Sequence, residues 1–174
     1  EQTGLIKKIG SLAIQQACKQ LAAWRKQGLP DMKISINISS VEFQSNSLIT
    51  DMLHYIKEYN IDGRQLIVEV TESLFMEDKG SVQLTMLELQ KVGVTFALDD
   101  FGKGYSSFSY LQDLPIDYLK IDKAFLNNVI SNKRSSAIAR TIIDVGINLD
   151  LQVIAEGIED QATLDYVTNH RCDM

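Results

Sequence analysis

Five short stretches with strand periodicity alternate with helical stretches, and this alternation constrains the fold more than any other feature of the chain. Lys33–Ser39 sets Ile34, Ile36 and Ile38 against Ser35, Asn37 and Ser39. Leu66–Thr71 sets Leu66, Val68 and Val70 against Ile67, Glu69 and Thr71, and Val94–Asp99 sets Val94, Phe96 and Leu98 against Thr95, Ala97 and Asp99. Tyr118–Ile121 and Gln152–Ala155 are two shorter strands. Helical spacing runs from Ser11 through Ile14, Cys18, Leu21 and Trp24, and is ended by Gly28 and Pro30. Further helices are expected at Ser47–Tyr59 (Ile49, Met52, Leu53 and Ile56 inward) and Lys79–Lys91 (Val82, Met86 and Leu89 inward). Ser106–Leu114 reads as a short helix closed by Pro115. Lys133–Asn148 follows, with Ile138, Ile142, Val145 and Leu149 in register, and Asp160–Asn169 is the last helix. Residues 1–10 carry little structural signal.

Strands separated by helices are expected to be parallel, which leaves an open doubly wound sheet or a barrel. The polar residues favour the barrel. Asn37, Glu69, Asp99, Lys120 and Glu156 each lie at or near the C-terminal end of a different strand, the end where barrel active sites are built. An open sheet would draw on fewer strands at one switch point. A complete barrel takes about 250 residues and eight strands. The fold class expected here is therefore α/β: a partial (β/α)8 TIM-like barrel with about five of the eight strands in 174 residues. With no linker or low-complexity tract, residues 1–174 read as the central part of a single domain.

The apolar run Phe96-Ala97-Leu98 stops at Asp99-Asp100 and passes into Phe101-Gly102-Lys103-Gly104-Tyr105-Ser106-Ser107. Two adjacent acids there repel, and burial opposes the charge on each. A cation between them would relieve both problems. Candidate ligands at the strand ends are Asn, Asp and Glu, and the two histidines, His54 and His170, lie on helices and read as structural. Oxygen donors suit Mg2+ or Mn2+ better than zinc. The net charge of -6 argues against a nucleic-acid polymer as partner but not against a small anionic ligand beside a metal. Cys18 and Cys172 fit no metal spacing and read as reduced thiols. No membrane-spanning run or signal-peptide pattern occurs, so a cytoplasmic location is expected, with no membrane contact from this segment. Asp100-Phe101-Gly102 is not a kinase element, because no His-Arg-Asp loop or Val-Ala-Ile-Lys strand accompanies it.

Five segments in order resemble the EAL family, the bacterial phosphodiesterases that open cyclic di-GMP to linear pGpG. They are Ile36-Asn37-Ile38-Ser39, Val68-Glu69-Val70-Thr71-Glu72-Ser73, Asp99 to Ser107, Leu119-Lys120-Ile121-Asp122 and Ala155-Glu156-Gly157-Ile158-Glu159. The resemblance implies metal ligands at Asn37, Glu69, Asp99 and Asp100, and a lysine against the attacking water at Lys120. It implies a catalytic glutamate at Glu156, as second-metal ligand or base, and a further acid near the site at Glu159. Glu72 matches the glutamate that holds the loop Phe101–Ser107 and its Gly102. Two Mg2+ or Mn2+ ions about 3.5–4 Å apart would activate water and shield phosphate charge.

The family's Glu-Ala-Leu element is absent, and its late Gln would fall beyond Met174. The expectation is a fragment of a parent enzyme, inactive alone for want of one metal ligand. The alternative is a cyclic di-GMP receptor that does not hydrolyse. The resemblance further implies sensory or diguanylate-cyclase domains in the parent chain, membrane tethering only through such domains, and a homodimer as a candidate assembly.

Other readings of single residues stay open at this point. Asn37 is also read as a structural Asn bonding a loop, and Asp100 as a cap of the following loop. Glu72 and Glu159 are equally read as a solvated acid or a helix-start acid.

Overall fold

The computed structural model describes residues 5–45, 47–77, 79–102 and 111–173. The chain divides into two compact units, Glu1–Phe96 and Ala97–Met174.

In the first unit, buried Ile14, Cys18 and Leu21 give α1 (Leu5–Lys26) its inward face. The helix begins before the expected Ser11, which lies inside it with its hydroxyl 3.4 Å from that of Tyr55. Gly10 lies inside the helix, where glycine costs about 1 kcal/mol. Here its missing side chain leaves the space that the Glu42 carboxylate fills. Strand β1 (Ile34–Asn37) pairs in parallel with β2 (Leu66–Thr71), from Ile34 opposite Leu66 to Asn37 opposite Glu69.

Among the described residues of this unit, two short α-helices were not expected. In α2 (Ser40–Phe43), the Ser39 hydroxyl and the Glu42 carboxylate cap one another's backbone amides. The other is α4 (Leu74–Glu77), placed after α3 (Ser47–Glu58) and β2. In α3 the inward face centres on Leu48 and Met52, and Leu53, expected inside, is exposed. The apolar residues there leave the phase of the stripe open by one position, and packing chose the other phase. Helix α5 (Lys79–Gln90) buries Val82, Met86 and Leu89 as expected. Strand β3 (Thr95–Asp99) starts in this unit, where the Thr95 hydroxyl donates to the Leu66 carbonyl at 3.2 Å.

The second unit takes up β3 at Ala97 and continues to β4 (Tyr118–Ile121) and β5 (Gln152–Ala155). All pairings are parallel: Ala97 lies opposite Tyr118, and Tyr118 to Ile121 lie opposite Gln152 to Ala155. Asp122 caps the short helix α6 (Lys123–Leu126), accepting from the Ala124 amide at 2.7 Å. Helix α7 (Lys133–Asn148), capped by Asn132, buries Ala139, Ile142, Ile143 and Gly146. Ile138, expected inside, is exposed. The reason is Gly146, whose bare Cα lets Val153 of β5 approach and turns that face of the helix inward. Helix α8 (Gln161–Asn169) starts one residue later than expected, because Asp160 is its cap. The helix expected over Ser106–Leu114 lies largely outside the described residues.

Strand β4 is buried along its whole length and β2 over all but its last residue, as strands of a parallel sheet covered by helices are. Among the described residues no helix is long and apolar enough to cross a membrane.

Candidate functional site

Strand register in the second unit explains a three-residue polar cluster. Ala97 is opposite Tyr118, so two residues further on, the same face brings Asp99 to Lys120. Lys120 is opposite Ile154, two residues before Glu156 on the same face. The Lys120 ammonium accordingly sits 3.2 Å from Asp99 Oδ2 and 2.8 Å from Glu156 Oε1. Lys120 is only 4% exposed, whereas the Glu156 side chain keeps 41% of its surface in solvent. The Glu156 amide donates to the Ile121 carbonyl at 3.1 Å, carrying the ladder one residue past β5.

After Asp99 the backbone turns sharply. Asp100 adopts a left-handed φ of 57°, which Asp tolerates better than most residues, and its amide donates to Asp99 Oδ1 at 2.9 Å. Phe101 is buried, and Gly102 turns with φ 91° where a Cβ would press on the Phe125 ring at 3.3 Å. Lys103, Gly104, Tyr105, Ser106 and Ser107 lie outside the described residues.

In the first unit Asn37 and Glu69 face each other at the C-terminal end of the β1–β2 pair. Glu69 is buried, Asn37 is exposed, and the Ile38 amide donates to the Glu69 carbonyl at 3.2 Å. Glu72 is buried as well, which removes its reading as a solvated acid. Glu159, in contrast, is exposed and ion-paired to Lys123, a residue the sequence reading had not singled out. Its signal was present: Lys120 and Lys123 are spaced as Glu156 and Glu159 are.

The remaining reactive side chains have structural surroundings. His54 pairs with Glu58 one turn along α3, and His170 stacks on Tyr166 with its Nδ1 2.7 Å from the Tyr166 carbonyl. Neither Cys18 nor Cys172 is disulfide-bonded, and burial pushes the Cys18 thiol up to about 12.

Chemically, Lys120 is a fixed ammonium able to orient a water or neutralise charge developing on a phosphate oxygen. Glu156 is a half-exposed carboxylate able to accept a proton. For a metal, the donor type fits: Asn37, Glu69, Asp99, Asp100 and Glu156 offer oxygen only, which suits a hard divalent ion. Among the described residues no three His, Cys, Asp or Glu side chains are already gathered as a metal-holding group. Lys120 supplies the positive charge between Asp99 and Glu156.

A family model described as the EAL domain matches residues 1–174. Among curated relatives, the signaling protein YkoW of Bacillus subtilis is 41% identical over 99% of this chain and 22% of its own length. The bifunctional diguanylate cyclase/cyclic di-GMP phosphodiesterase MucR of Pseudomonas aeruginosa is 35% identical over 99% of this chain and 25% of its own length. The chain thus spans about a quarter of the length of these relatives. Among solved structures, the PaMucR phosphodiesterase in complex with c-di-GMP superposes with a TM-score of 0.92 at 35% identity, covering 98% of this chain and 69% of that one. The EAL domain of Mycobacterium smegmatis DcpA gives 0.90 at 32% identity, covering 95% and 75%. Likeness of that extent bears out the fold class read from the sequence: a parallel α/β chain, part of a TIM-like barrel.

Proposed function

The chain belongs to the EAL domain family, and from that premise we propose that it is the central part of a phosphodiesterase that opens cyclic di-GMP to linear pGpG. The observation that carries the reading is the buried Lys120 held on Asp99 and Glu156, in a chain 35% identical to a cyclic di-GMP phosphodiesterase over nearly its whole length.

We assign Mg2+ or Mn2+ binding to Asn37 and Glu69 of the first unit and to Asp99, Asp100 and Glu156 of the second. When bound, the metals supply activation of water and neutralisation of phosphate charge. The protein's own residues do the rest. Lys120 orients the attacking water and stabilises the negative charge that grows on the phosphate. Glu156 is a second-metal ligand or the base; as the base it takes the proton the water loses as its oxygen bonds to phosphorus. The opposite phosphorus–oxygen bond breaks, and the leaving ribose oxygen takes a proton from solvent water. Buried Phe101 and the turn at Gly102 fix the direction in which the chain leaves Asp100; the loop role of Glu72 concerns residues 103–107, which lie outside the described residues. The location we infer is the bacterial cytoplasm, in a longer signalling protein with sensory or diguanylate-cyclase domains. A homodimer is the assembly proposed for it.

A second reading is a receptor that binds cyclic di-GMP without cleaving it. Calorimetry with cyclic di-GMP in EDTA and in Mg2+, followed by chromatography of the nucleotide, separates the two. Hydrolysis predicts pGpG in the Mg2+ sample alone. A receptor predicts binding in both samples and intact cyclic di-GMP.

A further inference from the structure

Resting on that functional reading, we propose that Lys123 is a positioning residue, a strut that fixes the strand end bearing Glu156. Between β5 and α8 the chain crosses Glu156, Gly157, Ile158, Glu159 and Asp160. Its first residue is tied down by the Glu156 amide on the Ile121 carbonyl and by the Lys120 ion pair. Its last is tied down by the Asp160 carboxylate, which accepts from the Thr163 amide and hydroxyl at 2.8 and 2.9 Å. Lys123 holds the middle.

Two independent features place it there. Gly157 has a left-handed φ of 68°, and the Cβ it lacks would lie 2.8 Å from both Cβ and Cδ of Lys123. The lysine stem therefore lies against the glycine backbone itself. The ammonium then reaches past it to the Glu159 carboxylate. Lys120 and Lys123 thus grip Glu156 and Glu159 as two parallel rungs, one buried and one exposed. Half of the Lys123 side chain and most of that of Glu159 are in solvent, so this rung adds little to global stability. Its effect is local, on the orientation of the carboxylate one residue before the glycine. Residues that support a catalytic group from outside typically change activity 10–100-fold when removed.

The test uses the protein that carries this domain, as wild type, Lys123→Met, Lys123→Arg and Glu159→Gln. Two readouts are taken: steady-state hydrolysis of cyclic di-GMP, and hydrogen exchange of the peptide spanning residues 155–159. The expectation for Lys123→Met is a roughly tenfold fall in kcat with KM within about twofold and an unchanged melting temperature. Exchange of that peptide should quicken about tenfold, Lys123→Arg should restore both readouts, and Glu159→Gln combined with Lys123→Met should add nothing. Unchanged exchange in Lys123→Met overturns the strut, and quicker exchange with unchanged kcat overturns its link to Glu156. A wild type that hydrolyses nothing overturns the proposed function instead, and the exchange readout then decides the strut by itself.

Discussion

Replacing Lys120 by Met keeps most of the stem and removes the charge from between two carboxylates. Lys120 is buried, at 3.2 Å from Asp99 and 2.8 Å from Glu156, and these two side chains keep 18% and 41% of their surface exposed. At those separations and an effective dielectric near 20, each attraction is worth about 5–6 kcal/mol before any cost. Desolvating the ammonium takes back several kcal/mol. Removing one partner of a buried pair typically costs 3–5 kcal/mol. The water still reaching both carboxylates lowers the expectation to about 2–4 kcal/mol. For a chain of this size, about 3 kcal/mol corresponds to a fall in Tm of about 6–12 °C. Calorimetric or urea unfolding of the protein that carries this domain measures it. The second arm adds Asp99→Asn to the Lys120→Met background. With the cation gone, removing a neighbouring negative charge should return part of the loss. A fall in Tm below about 1 °C, or a further loss on adding Asp99→Asn, would refute the claim that Lys120 is the charge holding this strand end together.

Further outcomes follow from three other parts of the fold. Cys18 is inaccessible and its thiol is pushed up to about 12 by burial, so native protein at pH 8 should take alkylating reagent at Cys172 long before Cys18, as peptide mass spectrometry would reveal. Because that folded value lies above the unfolded one near 9, the stability held by the buried thiol is complete below pH 9 and drains away as pH rises toward 12. The hydrogen bonds from the Thr163 amide and hydroxyl hold the Asp160 carboxyl below the usual carboxylate range. Its stabilisation is therefore present above the unfolded value and lost as pH falls through the folded one, so the Tm gap between wild type and Asp160→Ala should close on acidification. Gly146→Ala would drive a methyl into Val153 Cγ2 and cost about 1–3 kcal/mol in urea unfolding; a neutral result would mean that α7 shifts freely off β5.

Much of the fold was legible because strand and helix periods differ and the polar breaks are sharp. Leu66–Thr71, Tyr118–Ile121 and Lys133–Asn148 fall where the pattern put them. What the pattern missed depends on partners distant in sequence. The early start of α1 was not read, because only the fold brings Glu42 against Gly10. Ile138 looked buried until Gly146 and Val153 set the helix face. Residue types were enough to nominate Asp99, Lys120 and Glu156, since a charged side chain at the end of an apolar strand needs a reason. Their contacts follow from parallel register alone. Lys123 was not nominated: its spacing from Lys120 matches that of Glu159 from Glu156, but the match gains meaning only once β4 and β5 lie side by side. Glu159 was nominated for the site, and the structure gives it an exposed pairing with that same lysine.

The most direct test of the central claim is product analysis with the protein that carries this domain, as wild type and as Asp99→Asn, incubated with cyclic di-GMP and Mg2+. The account predicts pGpG from the wild type, none when EDTA replaces Mg2+, and none from Asp99→Asn although it remains folded by circular dichroism. Equal pGpG from wild type and Asp99→Asn would contradict it.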